Sequence, residues 1–250
     1  MGQTPTRRSR NAADDVGRTR AAQVAQEIEA EIMRRGWPVG EAIGSEAQLI
    51  ERFGVGRPVL REAFRILESR WVAKPRPGPG GGLLVTAPQP SMVRDVTRLF
   101  MDYEGFSQQD LYAVWETLEV AAVEQLARQI DDDAIEQLRS FIRAEEQIDD
   151  LRDQPSTVHT EIARLVGNPF IELFLYVLSD LSRHHGVPTT AEQRAWLHRK
   201  HVELVEAIIA GDVLTAQRVV RRLLGSLAKV ASLDMPAARR AEPARRVARG

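Results

Sequence analysis

Three arginines spaced four residues apart are the feature of this 250-residue chain that is best suited to binding chemistry. Arg57, Arg61 and Arg65 fall on one face of any helix that they share, and guanidinium groups in such a row can donate paired hydrogen bonds to base edges and phosphates. The same row is also typical of a solvated helix face, on which Glu62 and Glu68 could pair with the arginines. The surrounding sequence must therefore decide between a nucleic-acid surface and a merely solvated one.

The sequence on either side of this row predicts a helix-turn-helix. Residues 44–64 read GSEAQLIERFGVGRPVLREAF. Ser45 is placed to cap a short first helix, Gly54 to end it, and Pro58 to occupy the first position of a second helix. A second helix that carries a row of arginines is how such a motif presents donors to a DNA major groove.

A glycine-rich hairpin is predicted to follow the second helix. Residues 71–74 and 83–86 are strand candidates, and the loop between them reads PRPGPGGG. Its glycines allow the backbone to approach a sugar-phosphate chain closely. Two helices and a hairpin together predict a winged helix-turn-helix. The residues predicted to bind DNA are Ser45, Arg57, Pro58, Val59, Arg61, Arg65, Arg76, Gly78 and Gly80.

Residues 20–86 resemble the DNA-binding domain of the GntR family of bacterial transcription regulators. The family pattern Leu-Pro-Ser-Glu-x-x-Leu-Ala-x-x-Phe-Gly-Val-Ser-Arg is matched by IGSEAQLIERFGVGR over 43–57, and its continuation is matched by PVLREAF over 58–64. Gly44 replaces the usual Pro, and Gly56 replaces the usual Ser, which removes a hydroxyl that would cap the second helix. The resemblance implies a sequence-specific transcription regulator that binds a pseudo-palindromic operator in double-stranded DNA as a homodimer.

Composition and charge divide the chain into parts. The net charge of −1 conceals balances of +4 over residues 1–90, −9 over 91–235 and +4 over the last fifteen residues. The fold class predicted is mainly α, with a winged helix-turn-helix followed by an all-α bundle of about six or seven helices. We expect a disordered basic lead over 1–17, the winged helix-turn-helix over 18–86, a proline-containing linker over 87–91, the helical domain over 92–235 and a disordered Arg-rich tail over 236–250.

Several classes of protein are disfavoured by the sequence. The chain has no cysteine, and no apolar run approaches the length of a membrane span, so we expect a cytoplasmic protein without a membrane partner. Sequence motifs for a hydrolase nucleophile, a zinc protease or a phosphate-binding loop do not occur, which favours a protein that is not an enzyme. The alternative is a metal-dependent binding protein or enzyme built on the helical domain, with His159, His198 and His201 around the metal.

Short motifs in the helical part resemble the FCD domain, the all-helical ligand-sensing domain of the FadR-type branch of the same family. They are LYAVWETLE over 111–119, HTEIARLVGNP over 159–169 and HVELVEAIIAGD over 201–212. The resemblance implies that this domain dimerises and holds a small-molecule metabolite as effector, most often to relieve repression.

The FCD resemblance also implies a divalent metal held by one Asp and three His. His159 and His201 match two of these positions, but Pro155 and Leu223 occupy the other two. Two ligands of four favour the absence of a metal or other cofactor. Substitute ligands with a different geometry stay open as an alternative: His198, Asp153 and Glu161.

Trp115 bears on the chemistry of the effector, because it stands where the family usually has an Arg suited to binding a carboxylate. The predicted effector site consists of Trp115, His159, His198 and His201, and the exchange predicts a less polar cavity with a larger or more apolar effector. The alternative is that Trp115 only fills space, and that His159 and His201 are interior histidines with satisfied hydrogen bonds.

Overall fold

A computed structural model describes residues 7–78, 82–147, 157–183 and 190–234, and it divides the chain into two compact units between Gln89 and Pro90. The mainly α fold class is confirmed. Within the described residues, no helix combines the length and the apolar character that crossing a membrane requires. The predictions for residues 1–6, Gly80, Asp153, Pro155 and the tail over 236–250 concern residues outside the described ranges.

The N-terminal unit is a winged helix-turn-helix. Its elements are α1 (Arg7–Arg34), α2 (Glu46–Phe53), α3 (Arg57–Ser69), β1 (Ala73–Arg76) and β2 (Gly82–Val85). Residues 7–17, which the sequence predicted to be a disordered lead, belong to α1. No proline interrupts 7–34, and a helix that is anchored by its buried C-terminal part extends at little further cost.

The core of this unit lies between α1, α3 and the hairpin. α1 contributes buried residues spaced three or four apart, and α3 contributes an inner stripe on the side away from its arginines. Arg20 of α1 joins that helix to the end of α2, because its Nη2 donates a hydrogen bond to the Phe53 carbonyl oxygen over 3.1 Å. The main buried residues are Val24, Ile28, Ile32, Leu49, Leu60, Phe64, Leu67, Val72, Leu83 and Val85.

The predicted caps of the helix-turn-helix are confirmed. The Ser45 hydroxyl accepts a hydrogen bond from the Gln48 amide, Gln48 Oε1 accepts one from the Ser45 amide, and Gly54 ends α2 with a φ of 58°. The start of α3 differs from the prediction in one respect. Pro58 takes the second helical position after Arg57, where its missing N–H is still without consequence. Gly56 caps α3 without a side-chain hydrogen bond.

The wing is a two-stranded antiparallel hairpin in which Ala73 pairs with Val85 and Arg76 with Gly82. The first strand begins two residues later than predicted, because Trp71 turns the chain out of α3 with a φ of 58°. β2 also pairs with the segment before α2, since the Ile43 amide donates to Leu83 and the Leu83 amide donates to Gly44. The wing is therefore fixed directly to the start of the helix-turn-helix.

The C-terminal unit shows seven helices within the described residues, in agreement with the predicted six or seven. They are α4 (Pro90–Glu104), α5 (Gln108–Gln129), α6 (Asp132–Glu145), α7 (Val158–Val166), α8 (Pro169–Arg183), α9 (Ala191–Ile209) and α10 (Val213–Asp234). Pro90 opens α4, so that helix takes up the last two residues of the predicted 87–91 linker. α6 begins after Asp131, whose side chain accepts a hydrogen bond from the Ala134 amide, and ends at Glu145.

α5 is the central helix of this unit, because it packs against α7, α8, α9 and, most extensively, α10. The core that these helices share is almost entirely aliphatic around Leu126, Ile162, Leu204 and Leu223. Four of its buried polar side chains, Glu119, Glu145, His159 and His201, form one cluster.

Gly82 provides a test of how the wing is held. A Cβ at this position would lie 2.1 Å from the Gly44 carbonyl oxygen, which is a backbone atom that cannot rotate away. Gly82→Ala should therefore destabilise the N-terminal unit by about 1–3 kcal/mol, as overpacking does. Thermal unfolding of the full chain should show an N-terminal transition at lower temperature.

Gly56→Ser is the matched control in the same unit, because its nearest contact is Pro58 Cδ at 3.6 Å and the new hydroxyl can cap α3. It should leave the transition unchanged or raise it slightly. Equal unfolding temperatures for Gly82→Ala and the unmodified protein would contradict the described contact.

Candidate nucleic-acid interface and histidine cluster

One open concave surface of the N-terminal unit collects most of the residues predicted to bind DNA. It has a volume of about 1090 Å³ and lies between α2, the outer face of α3 and the wing. The predicted residues that line it are Ser45, Arg57, Arg61, Arg65, Arg76 and Gly78. We call this surface the arginine face. Pro58 and Val59 are not among its lining residues, and Val59 is half-buried against the core.

Acidic neighbours hold two of these arginines in the free protein. Arg65 pairs with Glu62 over 3.3 Å, as predicted for a helix face exposed to solvent. Arg61 Nε lies 3.7 Å from Glu46 Oε1 of α2, and the sequence analysis did not predict this pair. Arg61 and Arg65 side chains are 70% and 78% exposed. Exposed ion pairs contribute about 0–1 kcal/mol, so a phosphate or a base can replace the carboxylate at little cost.

The wing brings a fourth arginine to the arginine face from a different part of the chain. Arg76 closes β1 and is exposed, and Gly78 follows it in the loop with a φ of 103°. Its position at the end of the hairpin separates it from α3, as a contact to DNA beside the major groove requires.

In the C-terminal unit, His159 is the centre of a buried polar cluster. Its Nδ1 lies 2.5 Å from Glu119 Oε1, and its ring contacts those of Trp115 and His201 edge-on at centroid distances of 5.0 and 5.3 Å. Trp115 in turn stacks on Tyr112 at 5.5 Å. α5 supplies Trp115 and Glu119 one turn apart, and α7 and α9 supply the histidines.

Glu145 forms the other half of the histidine cluster. Its Oε1 lies 2.7 Å from His201 Nδ1 and its Oε2 lies 2.9 Å from His198 Nδ1. Burial alone would raise the pKa of Glu145, but the hydrogen bonds from His201 and His198 outweigh it and lower that pKa. Burial is the main influence on His201 and lowers its pKa, although Glu145 opposes this. His201 is therefore neutral beside an ionised Glu145 near neutral pH.

The structure thus brings together all four residues of the predicted effector site, Trp115, His159, His198 and His201. Sequence analysis missed the two carboxylates that hydrogen-bond to the histidines, Glu119 and Glu145. The prediction of a less polar cavity therefore did not take these two buried acidic side chains into account. A signal for Glu145 was available, because it continues the buried stripe of α6 formed by Ala134 and Leu138. An acidic residue at a core position of an amphipathic helix indicates a paired buried charge.

The residues present do not fit the divalent metal that the FCD resemblance implies. Leu223, at one of the two missing ligand positions, is fully buried in the aliphatic core. Among the described residues, no group of three or more His, Asp or Glu side chains has the arrangement of a metal site. Protein zinc sites use at least three side-chain ligands, and His159 and His201 provide two.

Comparisons with known proteins agree with both halves of this description. Residues 20–81 match the family model for bacterial regulatory proteins of the gntR family, and residues 110–226 match the FCD domain model. The HTH-type transcriptional repressor NanR of Cronobacter sakazakii is 26% identical over 249 residues, which cover 88% of this chain and 92% of that protein. NanR of Escherichia coli K12 is 26% identical over 227 residues, with 82% and 81% covered.

A solved structure shows the same fold. Streptococcus agalactiae GntR superimposes with a TM-score of 0.60 and 23% identity, and the match covers 84% of this chain and 99% of that one.

The histidine cluster predicts how stability depends on pH. The folded protein keeps His201 neutral, while the unfolded chain binds a proton below about pH 6.5, so stability should fall as the pH drops below that value. Glu145, whose pKa is lowered, adds a further loss of stability below about pH 4.5. Thermal unfolding followed between about pH 8 and pH 5 should show this decline, and His201→Gln should reduce its slope because glutamine does not titrate. An equal slope in the variant would contradict the assignment.

Proposed function

The chain belongs to the GntR family of bacterial regulatory proteins and carries an FCD domain, and we therefore propose that this DNA-binding transcription regulator is a repressor whose operator affinity depends on a small metabolite. The observation that supports the DNA half is the arginine face, where α3 and the wing present four arginines on one concave surface. Repression is supported by the relatives described as transcriptional repressors. A regulator of bacterial DNA acts where the chromosome lies, in the cytoplasm.

The proposed DNA contacts divide by position. Arg57 and Arg61 lie in the first turns of α3, the part of a recognition helix that reaches base edges, while Arg65 one turn later is placed for phosphate. Ser45, Pro58 and Val59 are proposed as supporting contacts near the two helix starts. Arg76, with Gly78 and Gly80, is proposed to lie against the backbone or in the minor groove beside the site.

We propose the histidine cluster as the effector site. Effector binding would favour a dimer geometry in which the two recognition helices no longer match successive major grooves, and DNA would in turn weaken effector binding by the same factor. The alternative of a metal-dependent enzyme is not favoured, because the histidines bond to Glu119 and Glu145 and the family's fourth ligand position is the aliphatic Leu223.

A homodimer is proposed from an exposed apolar stripe on α4. Val96, Leu99, Phe100 and Tyr103 recur at helical spacing, and each is more than half exposed. The opposite side of α4 is held to α8, where Arg94 and Arg98 both pair with Asp180. A second copy is the proposed occupant of the stripe, because α4 follows the DNA-binding unit directly, and a two-fold contact there would pair two such units on a palindromic operator.

Arg61→Ala tests the DNA assignment. Loss of a bidentate base contact should weaken binding to an operator selected by the wild-type protein by about 1–3 kcal/mol, with reduced discrimination against mismatched duplexes at fixed salt. Arg65→Ala should weaken binding to all duplexes alike. Arg70→Ala is the matched control, because Arg70 lies at the end of the same helix, outside the arginine face, and pairs with Glu29. Wild-type affinity and selectivity in Arg61→Ala would refute the assignment.

Leu99→Ser tests the dimer. Burial of a leucine in an interface contributes about 1.5–3 kcal/mol, so the variant should shift the monomer–dimer equilibrium toward monomer by tenfold or more in sedimentation experiments. Leu214→Ser is a close control, since Leu214 on α10 is 72% exposed where Leu99 is 73% exposed. Equal dimerisation of the two variants would exclude the α4 stripe as the interface.

A further inference from the structure

The histidine cluster contains polar atoms that protein groups leave without a hydrogen-bond partner. They are Trp115 Nε1, Glu119 Oε2 and His201 Nε2, and all three belong to side chains that are at least nine-tenths buried. Each of these side chains touches His159, through ring contacts for Trp115 and His201 and through a hydrogen bond for Glu119. Unpaired buried polar atoms are rare and costly, so three around one residue point to a ligand.

The hydrogen-bonding character of these atoms follows from their neighbours. A carboxylate can only accept hydrogen bonds. The His201 Nδ1 that faces Glu145 therefore carries a proton and donates a hydrogen bond to that carboxylate. In a neutral ring, His201 Nε2 then has a lone pair and accepts. Glu119 Oε2 also accepts, while the Trp115 indole N–H can only donate. The site therefore offers two acceptors and one donor.

This set selects among ligand groups. A ligand carboxylate brings only acceptors and a negative charge, and it would meet the buried carboxylates of Glu119 and Glu145. No Arg or Lys among the described residues pairs with either of them. An ammonium group can donate to Glu119 and His201 but cannot accept from Trp115. Hydroxyl groups both donate and accept, and two neighbouring hydroxyls can satisfy all three atoms.

We propose that the effector of this regulator is an uncharged polyhydroxylated molecule, a sugar or sugar alcohol, whose hydroxyls donate to Glu119 and His201 and accept from Trp115. The proposal rests on the histidine cluster being the effector site, and it names the ligand class. It also gives Trp115 a role beyond filling space. The indole stands where the family has a carboxylate-binding arginine, and its N–H is the group of the site that donates a hydrogen bond to a ligand hydroxyl oxygen.

The indole N–H resonance of Trp115 gives a direct measurement in the full-length protein. The chain has four tryptophans, and the missing signal in Trp115→Phe assigns the resonance. The probes are neutral sugars and sugar alcohols of three to seven carbons, each paired with its sugar acid and, where one exists, its amino sugar. At least one neutral compound should shift the Trp115 signal and raise the unfolding temperature, while its sugar acid should do neither.

Glu119→Gln should weaken binding of that compound about tenfold or more, since a hydrogen bond to a buried charged acceptor is lost. Glu116→Gln is the matched control, because it makes the same change on α5 at a partly exposed residue that pairs with Arg221. It should bind as the unmodified protein does. Tighter binding of the sugar acid or the amino sugar, undiminished binding in Glu119→Gln, or no shift of the Trp115 signal by any neutral probe would each overturn the proposal.

Operator affinity, measured with and without the bound compound, separates this inference from the proposed function. Ligand binding at Trp115 without any change in operator affinity would support the ligand class and refute the effector role. Failure to bind operator DNA would refute the repressor and leave the ligand result unaffected.

Discussion

A carboxylate buried among aliphatic side chains must be paired, and this constraint organises the C-terminal unit. Glu119 and Glu145 come from two different helices, α5 and α6, and each meets a histidine from α7 or α9. Leaving either one without a hydrogen-bond partner would cost at least about 1–3 kcal/mol, the desolvation penalty of an unsatisfied buried polar group. These hydrogen bonds therefore join α5 to α7 and α6 to α9 at defined positions, a constraint that the surrounding leucines, which tolerate repacking, do not impose.

The N-terminal unit uses charge in the opposite way. Arg61 and Arg65 on α3 are exposed, and their ion pairs with Glu46 and Glu62 contribute so little that the proposed phosphate or base contacts could replace them. What the fold fixes there is backbone position. The Ser45 and Gly54 caps set the ends of α2, and the hydrogen bonds of β2 to Ile43 and Gly44 place the wing beside them. One chain thus has an N-terminal unit that presents exposed arginines on a hydrogen-bonded backbone frame and a C-terminal unit in which two carboxylates, Glu119 and Glu145, are buried.

The contrast explains what could be predicted from the sequence. Caps, turns and the row of arginines are local, so their spacing predicted α2, α3, the wing and about six or seven C-terminal helices. Trp71 shifted β1 because a positive φ at tryptophan has no local signal. The partners of the histidines are separated by 40 residues or more along the chain, so no spacing rule joins Glu119 to His159 or Glu145 to His201. The exposed pair of Arg61 and Glu46 likewise joins residues of two different helices, so no spacing rule within one helix predicts it.

The departures of this chain from the family pattern become coherent when the histidine cluster is considered as a set of charges. An arginine at position 115 and a metal held by His201 would both place positive charge near Glu119 and Glu145. This chain has Trp115 in place of the arginine and Leu223 in place of one of the metal ligands. The positive charge of the arginine is therefore absent, and a metal ion would have one ligand fewer. The carboxylates remain, satisfied on one side by imidazole N–H groups. If the histidine cluster is the effector site as proposed, Glu119 Oε2 and His201 Nε2 require hydrogen-bond donors from the ligand, and Trp115 Nε1 requires an acceptor.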